Sequence, residues 1–123
     1  MEFATSIHCM DGRIQEPVIQ FIKSNYNVKY VDVITEPGPC KILSQDMEHQ
    51  FLESIDNRIS ISLEKHGSKI IFISGHHDCA GNPVPEFLQI QQMTTCEELL
   101  RTKYPIVKIV KLWISQNWEV NAL

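Results

Sequence analysis

The chain has 123 residues, 43% hydrophobic and 21% charged, with a formal net charge of −4. Those proportions fit an ordinary globular protein and one folded domain, residues 1–123, with enough chain for a core of its own. Scattered Lys and Arg give no nucleic-acid or anionic-membrane footprint, and no apolar run approaches the roughly 20 residues of a membrane span.

The start, Met1-Glu2-Phe3-Ala4, lacks the basic and apolar regions of a signal peptide. The expected location is therefore the cytoplasm. There the four cysteines, Cys9, Cys40, Cys79 and Cys96, read as thiols or metal ligands rather than disulfides.

Taken in order, Phe3 to Cys9 reads as a first strand. Ile14, Val18, Phe21 and Ile22 then recur at helical spacing, with Pro17 expected in the first turn. Lys29 to Ile34 reads as a second strand, and Glu36-Pro37-Gly38-Pro39-Cys40 as a loop broken by two prolines and a glycine. A long helix is expected from about Ser44 to His66, where Met47, Phe51, Ile55, Ile59 and Leu63 repeat every four residues. Ser44 and Asp46 suit its start and Gly67 its end. Lys69 to Ser74 contains the most apolar short run of the chain, Ile70-Ile71-Phe72-Ile73, and leads into Gly75-His76-His77-Asp78-Cys79. After the turn at Asn82-Pro83-Val84-Pro85 comes a helix carrying Phe87, Leu88, Ile90 and Met93, then Leu99 and Leu100. A fourth strand within Pro105 to Ser115 and a short antiparallel return at Trp118-Glu119-Val120 complete the chain.

Alternating strands and helices predict an α/β fold, with a mainly parallel central sheet flanked by helices. With strand order 2-1-3-4 and a possible antiparallel edge strand, the order reverses between the first and third strands, where open α/β sheets bind ligands. Those two strands end in Cys9 and in His76-His77-Asp78-Cys79. Cys9, His76 and Cys79 supply two thiolates and an imidazole, a donor set that favours zinc over magnesium or calcium and leaves a fourth position for water. Asp11, two residues past a ligand, is the candidate to manage that water. Arg13 can pin its carboxylate with two prongs.

Cys9-x-Asp11-x-Arg13, followed by Ile70-Ile71-Phe72-Ile73-Ser74-Gly75-His76-x-x-Cys79, resembles the paired zinc motifs of the beta-class carbonic anhydrases. The resemblance implies zinc on Cys9, His76 and Cys79. It also implies an Asp11–Arg13 dyad whose aspartate accepts a hydrogen bond from a zinc-bound hydroxide, reversible hydration of carbon dioxide to bicarbonate, and a homodimer. In some family members the aspartate swings onto the zinc and closes the site.

The sequence departs from the family pattern in the loop at 36–40 and at Ala80-Gly81, where the family usually has glycine directly after the second cysteine. An alternative is therefore a zinc hydrolase for another small electrophile, of the carbonyl sulfide or carbon disulfide type. A third reading is a non-catalytic zinc or thiol protein. A cysteine-phosphatase or sulfurtransferase loop is disfavoured, because the arginine it needs six residues after the cysteine is Gln15 here. Cys96 is expected in the core, and Cys40 stays outside the ligand set although it lies near the same strand ends. His8 is read as structural, His77 as solvated or supporting, His49 and His66 as helix-surface residues, and Trp113 and Trp118 as core or interface.

Overall fold

The computed structural model describes residues 2–45 and 49–123. One five-stranded sheet has the order β2-β1-β3-β4-β5. Its strands are β1 (Phe3–Cys9), β2 (Tyr30–Glu36), β3 (Ile70–His76), β4 (Lys108–Ile114) and β5 (Val120–Ala122). All neighbours pair in parallel except β4 and β5. The expected order and the antiparallel edge are both present.

Burial on two faces explains the β3 sequence. Ile71 and Ile73 point into one apolar cluster, with Ile55, Ile59, Met93, Cys96 and Trp113 from the α3 and α4 side. Ile70 and Phe72 point into the other, with Ile14, Val18 and Ile22 of α1 (Gly12–Tyr26). A strand covered on both sides cannot alternate apolar with polar, so it reads as a continuous apolar run. The second cluster is covered by α1. The first is covered by α2 (Pro39–Ser44), α3 (His49–Ser60) with its wider π-helical continuation Ile61–Lys65, and α4 (Glu86–Lys103).

Several boundaries differ from expectation. Asp11 caps α1 and the helix begins at Gly12, so Pro17 lies inside it rather than in its first turn. With no N–H to donate there, Pro17 frees one carbonyl of the preceding turn. The expected loop at 36–40 contains a helix start: Gly38 takes a left-handed conformation (φ 65°) and Pro39 opens α2. Proline is favoured at that position because its missing donor is an orphan anyway. Ser44 thus ends α2 instead of starting the long helix. The expectations for Asp46, Met47 and the His49 side chain lie outside the described residues. Among the described residues, no helix is long and apolar enough to cross a membrane.

α4 is one continuous helix whose inner face is Gln89, Met93, Cys96 and Leu100, while Phe87 and Leu99 are exposed, 62% and 53%. A glutamine on that face has a specific task. Its Oε1 accepts from the His76 N–H at 3.1 Å, and its Nε2 donates to the His76 carbonyl at 2.9 Å and to Val84 O at 3.3 Å. The approach is so close that a β-carbon on Gly75 would lie 2.8 Å from Gln89 Oε1 and 3.2 Å from the Trp113 ring.

Gly75→Ala should therefore overpack the β3–α4 contact and cost about 1–3 kcal/mol. The urea unfolding midpoint should fall with little change in slope. An unchanged midpoint would show that the contact yields freely.

Candidate metal centre

Cys9, His76 and Cys79 converge where β1 and β3 end side by side. Their donor atoms all lie within 4.8 Å of one another, and all three residues are buried. β1 delivers Cys9 as its last residue and β3 delivers His76 as its last. Cys79 arrives from the following turn, in which Asp78 takes a left-handed φ of 57° and Asn82 N–H closes back onto Cys79 O at 3.3 Å. Gly81 lets this turn seat against the β2–α2 connection, since a β-carbon there would lie 2.6 Å from Pro37 C.

The geometry fits zinc. Two thiolates on one tetrahedral zinc, with bonds of about 2.3 Å, sit about 3.8 Å apart. Cys9 Sγ and Cys79 Sγ are 3.8 Å apart. His76 Nδ1 faces the His77 carbonyl at 2.7 Å, a contact that requires the proton on Nδ1. The lone pair is then on Nε2, which is buried and has no hydrogen-bond partner. A buried acceptor with nothing to accept from is costly. Fixing the tautomer by an Nδ1–H···O=C bond is how ligating histidines are prepared.

The electrostatics agree. A hydrogen bond from Cys79 pushes the Cys9 thiol well below the usual thiol range, with His76 adding to the effect. The same bond, together with burial, pushes Cys79 up. The pair gives up a first proton readily and holds the second, because two anions this close repel. Burial lowers His76, but the neighbouring Cys9 and the His77 carbonyl outweigh it, and the net shift is upward.

The side chains of Asp11 and Arg13 are paired. Asp11 Oδ1 accepts the Arg13 backbone N–H at 2.9 Å and Nε at 3.1 Å, and Oδ2 accepts Nη2 at 2.7 Å. Hydrogen bonding from Arg13 lowers the Asp11 carboxyl to about 2. Arg13 also reaches the turn after β3, with Nη1 3.2 Å from Asp78 Oδ2 and Nη2 3.1 Å from Asp78 O. Trp118 lies over it, its ring centroid 4.4 Å from Cζ.

Several supporting residues escape a reading of the sequence. Gln15 donates to the carbonyls of Cys9 at 2.8 Å and Asp11 at 2.7 Å, and accepts at Oε1 from the His8 ring. His8 is fully buried and bonds onward to Ser6 at 2.7 Å, a polar chain beneath the strand end. Gln89 holds His76 by both backbone groups. A glutamine four residues past a cap is a visible signal for Gln15, whereas the hydrophobic pattern of α4 gives none for Gln89. Nothing in the sequence points to Trp118 over Arg13. Cys96 is in the core, and Cys40 is buried with its thiol donating to Ser74 O at 3.4 Å. His66 ends the π-helical segment, 2.7 Å from Asp32 and stacked on Phe3.

A family model described as "Putative carbonic anhydrase" matches residues 1–123. No curated protein sequence matches the chain. Among solved structures, the β-carbonic anhydrase CafA of Aspergillus fumigatus is similar at 13% identity and a TM-score of 0.57. That match covers 99% of this chain and 74% of that one. A structure from a study of two tetrameric β-carbonic anhydrases of Sordaria macrospora is similar at 12% identity and a TM-score of 0.58, covering 99% of this chain and 80% of that one. At these identities the likeness to solved structures is one of fold. The match along the whole chain is one of family: this protein belongs to the carbonic anhydrase-like family that the model describes.

Proposed function

We propose that this chain catalyses the reversible hydration of carbon dioxide, with one zinc ion held by Cys9, His76 and Cys79. The observation that carries this reading is the convergence of three buried donors, one of them a histidine nitrogen with no other partner. When bound, zinc would offer a fourth tetrahedral position and acidify a water there, making it a nucleophile toward an electrophilic carbon.

The chain's own residues do the rest. Two thiolates cancel the ion's formal charge, so the site depends on a neighbour to orient the attacking water. Asp11 is that neighbour. Arg13 keeps it ionised, and an ionised carboxylate can only accept hydrogen bonds. Three Arg13 donors engage the carboxylate, Oδ1 at 2.9 and 3.1 Å and Oδ2 at 2.7 and 3.3 Å, with Nε shared between the two. An ionised carboxylate offers about four acceptor positions, so Asp11 keeps room to hold a hydrogen of an attacking water and turn its lone pair toward the substrate. Gln15 and Gln89 fix the backbone from which Cys9, Asp11 and His76 project.

The working form is proposed to be a homodimer in the cytoplasm. Four free cysteines suit a reducing compartment. The outer edge of β2, with Tyr30 and Val33 exposed, offers a surface for a second copy.

Metal analysis coupled to stopped-flow hydration of carbon dioxide tests the whole reading. Stoichiometric zinc with turnover is expected; absence of zinc sinks it. Cys79→Ser should lose zinc and unfold at lower denaturant, because metal binding energy is partly folding energy. Full zinc occupancy in that variant removes Cys79 from the ligand set. Asp11→Asn should retain zinc while turnover drops about ten- to hundredfold. Undiminished turnover would exclude Asp11 from the reaction.

A further inference from the structure

We propose that Trp118 is a positioning residue of this site, acting through Arg13. Its indole face holds the guanidinium in the orientation that pins Asp11. The functional meaning rests on the hydration reading above, whereas the contact itself does not.

A guanidinium has two bonding edges and two faces. One edge of Arg13 is taken by Asp11, and further N–H groups reach Asp78. Even so, its side chain is 46% exposed, and the Asp78 carboxylate is 70% exposed. Water competes for pairs like these, which hold a long side chain weakly. Trp118 supplies what they lack, an aromatic wall 4.4 Å from Cζ. Arginine stacks well on such a wall, with cation–π attraction added to the flat contact.

The backbone is committed to this arrangement. Trp118 adopts a left-handed φ of 62°, a conformation that crowds a bulky side chain and usually falls to glycine or asparagine. It stays there because the turn between β4 and β5 is tied at several points. Trp118 N–H donates to Ser115 O and Ser115 N–H to Glu119 O, each at 2.9 Å. Ser115 Oγ accepts from the N–H groups of Asn117 and Glu119 at 3.3 and 3.4 Å. Strain that is over-determined by its surroundings clusters at functional sites. Here it turns the indole toward Arg13, and places the ring centroid 6.5 Å from those of both His76 and His77. With Trp118 removed, Arg13 would keep Asp11 as a partner but lose the wall that fixes both, and the carboxylate would no longer be held in one orientation.

The Nε–H resonance of Arg13 in ¹H–¹⁵N spectra reads this directly, with or without metal, and Arg13→Lys assigns it by its disappearance. In Trp118→Ala the resonance should lose its ring-current shift, and its exchange with water should speed up about fivefold, the scale of a partly exposed cation–π contact. Trp118→Phe should restore most of the protection. In turnover, Trp118→Ala should lower kcat about fivefold with KM and zinc content unchanged, and the loss should vanish in an Asp11→Asn background. An Arg13 resonance unmoved by Trp118→Ala overturns the proposal. So does equal loss in the Ala and Phe variants, which would mark a merely structural tryptophan. A wild type inactive toward carbon dioxide whose Arg13 responds as stated overturns the hydration reading alone.

Discussion

Two sulfur atoms 3.8 Å apart in a buried site cannot both carry a negative charge unless a cation lies between them. Coulomb repulsion at that distance costs several kcal/mol even at the effective dielectric of a protein's outer layers. The rest of the strand-end architecture answers to this constraint. Without a metal the pair keeps one proton, Cys9 the more acidic partner and Cys79 the less. A dication removes the conflict, and His76 presents an unpartnered nitrogen to the same point. The three buried donors thus make a set that could hold a metal ion, and in its absence the two sulfurs leave a charge conflict unresolved.

What makes the constraint tolerable is the rigidity around it. Between β1 and β3 the ladder ends at Ile7 and Ile73, short of Cys9 and His76. Gln15 and Gln89 take over from the ladder, bonding to the peptide groups of Cys9, Asp11 and His76. Gln89 is buried and Gln15 half-buried, and amides so placed are favourable only when satisfied; both are bonded at both ends.

The parts legible in the sequence are those set by residue type along one strand or one turn. Ile70-Ile71-Phe72-Ile73 announces a doubly covered strand, and Cys9, Asp11 and Arg13 announce themselves by spacing. Alternation of elements implies the parallel sheet but not its order; the order 2-1-3-4 is an assumption that the observed sheet matches. The errors have physical causes. Pro39 looks like a breaker but opens a helix, because proline's effect depends on whether its absent donor was needed. Gln89 is hidden because its stripe of Met93, Cys96 and Leu100 puts Phe87 and Leu99 outside, the reverse of what hydrophobicity suggests. Trp118 meets Arg13 only because one left-handed residue aims it there, and no periodicity encodes that.

The double bond of Gln89 to His76 has a mechanical side. An amide that accepts from one peptide N–H and donates to the same residue's carbonyl imitates a neighbouring strand. In effect α4 contributes a single rung to the sheet at the height of the imidazole. Helix and histidine are thereby tied directly, with no room for a β-carbon on Gly75 between them. The outward side of that helix carries exposed Phe87 in the same first turn that supplies the rung to His76.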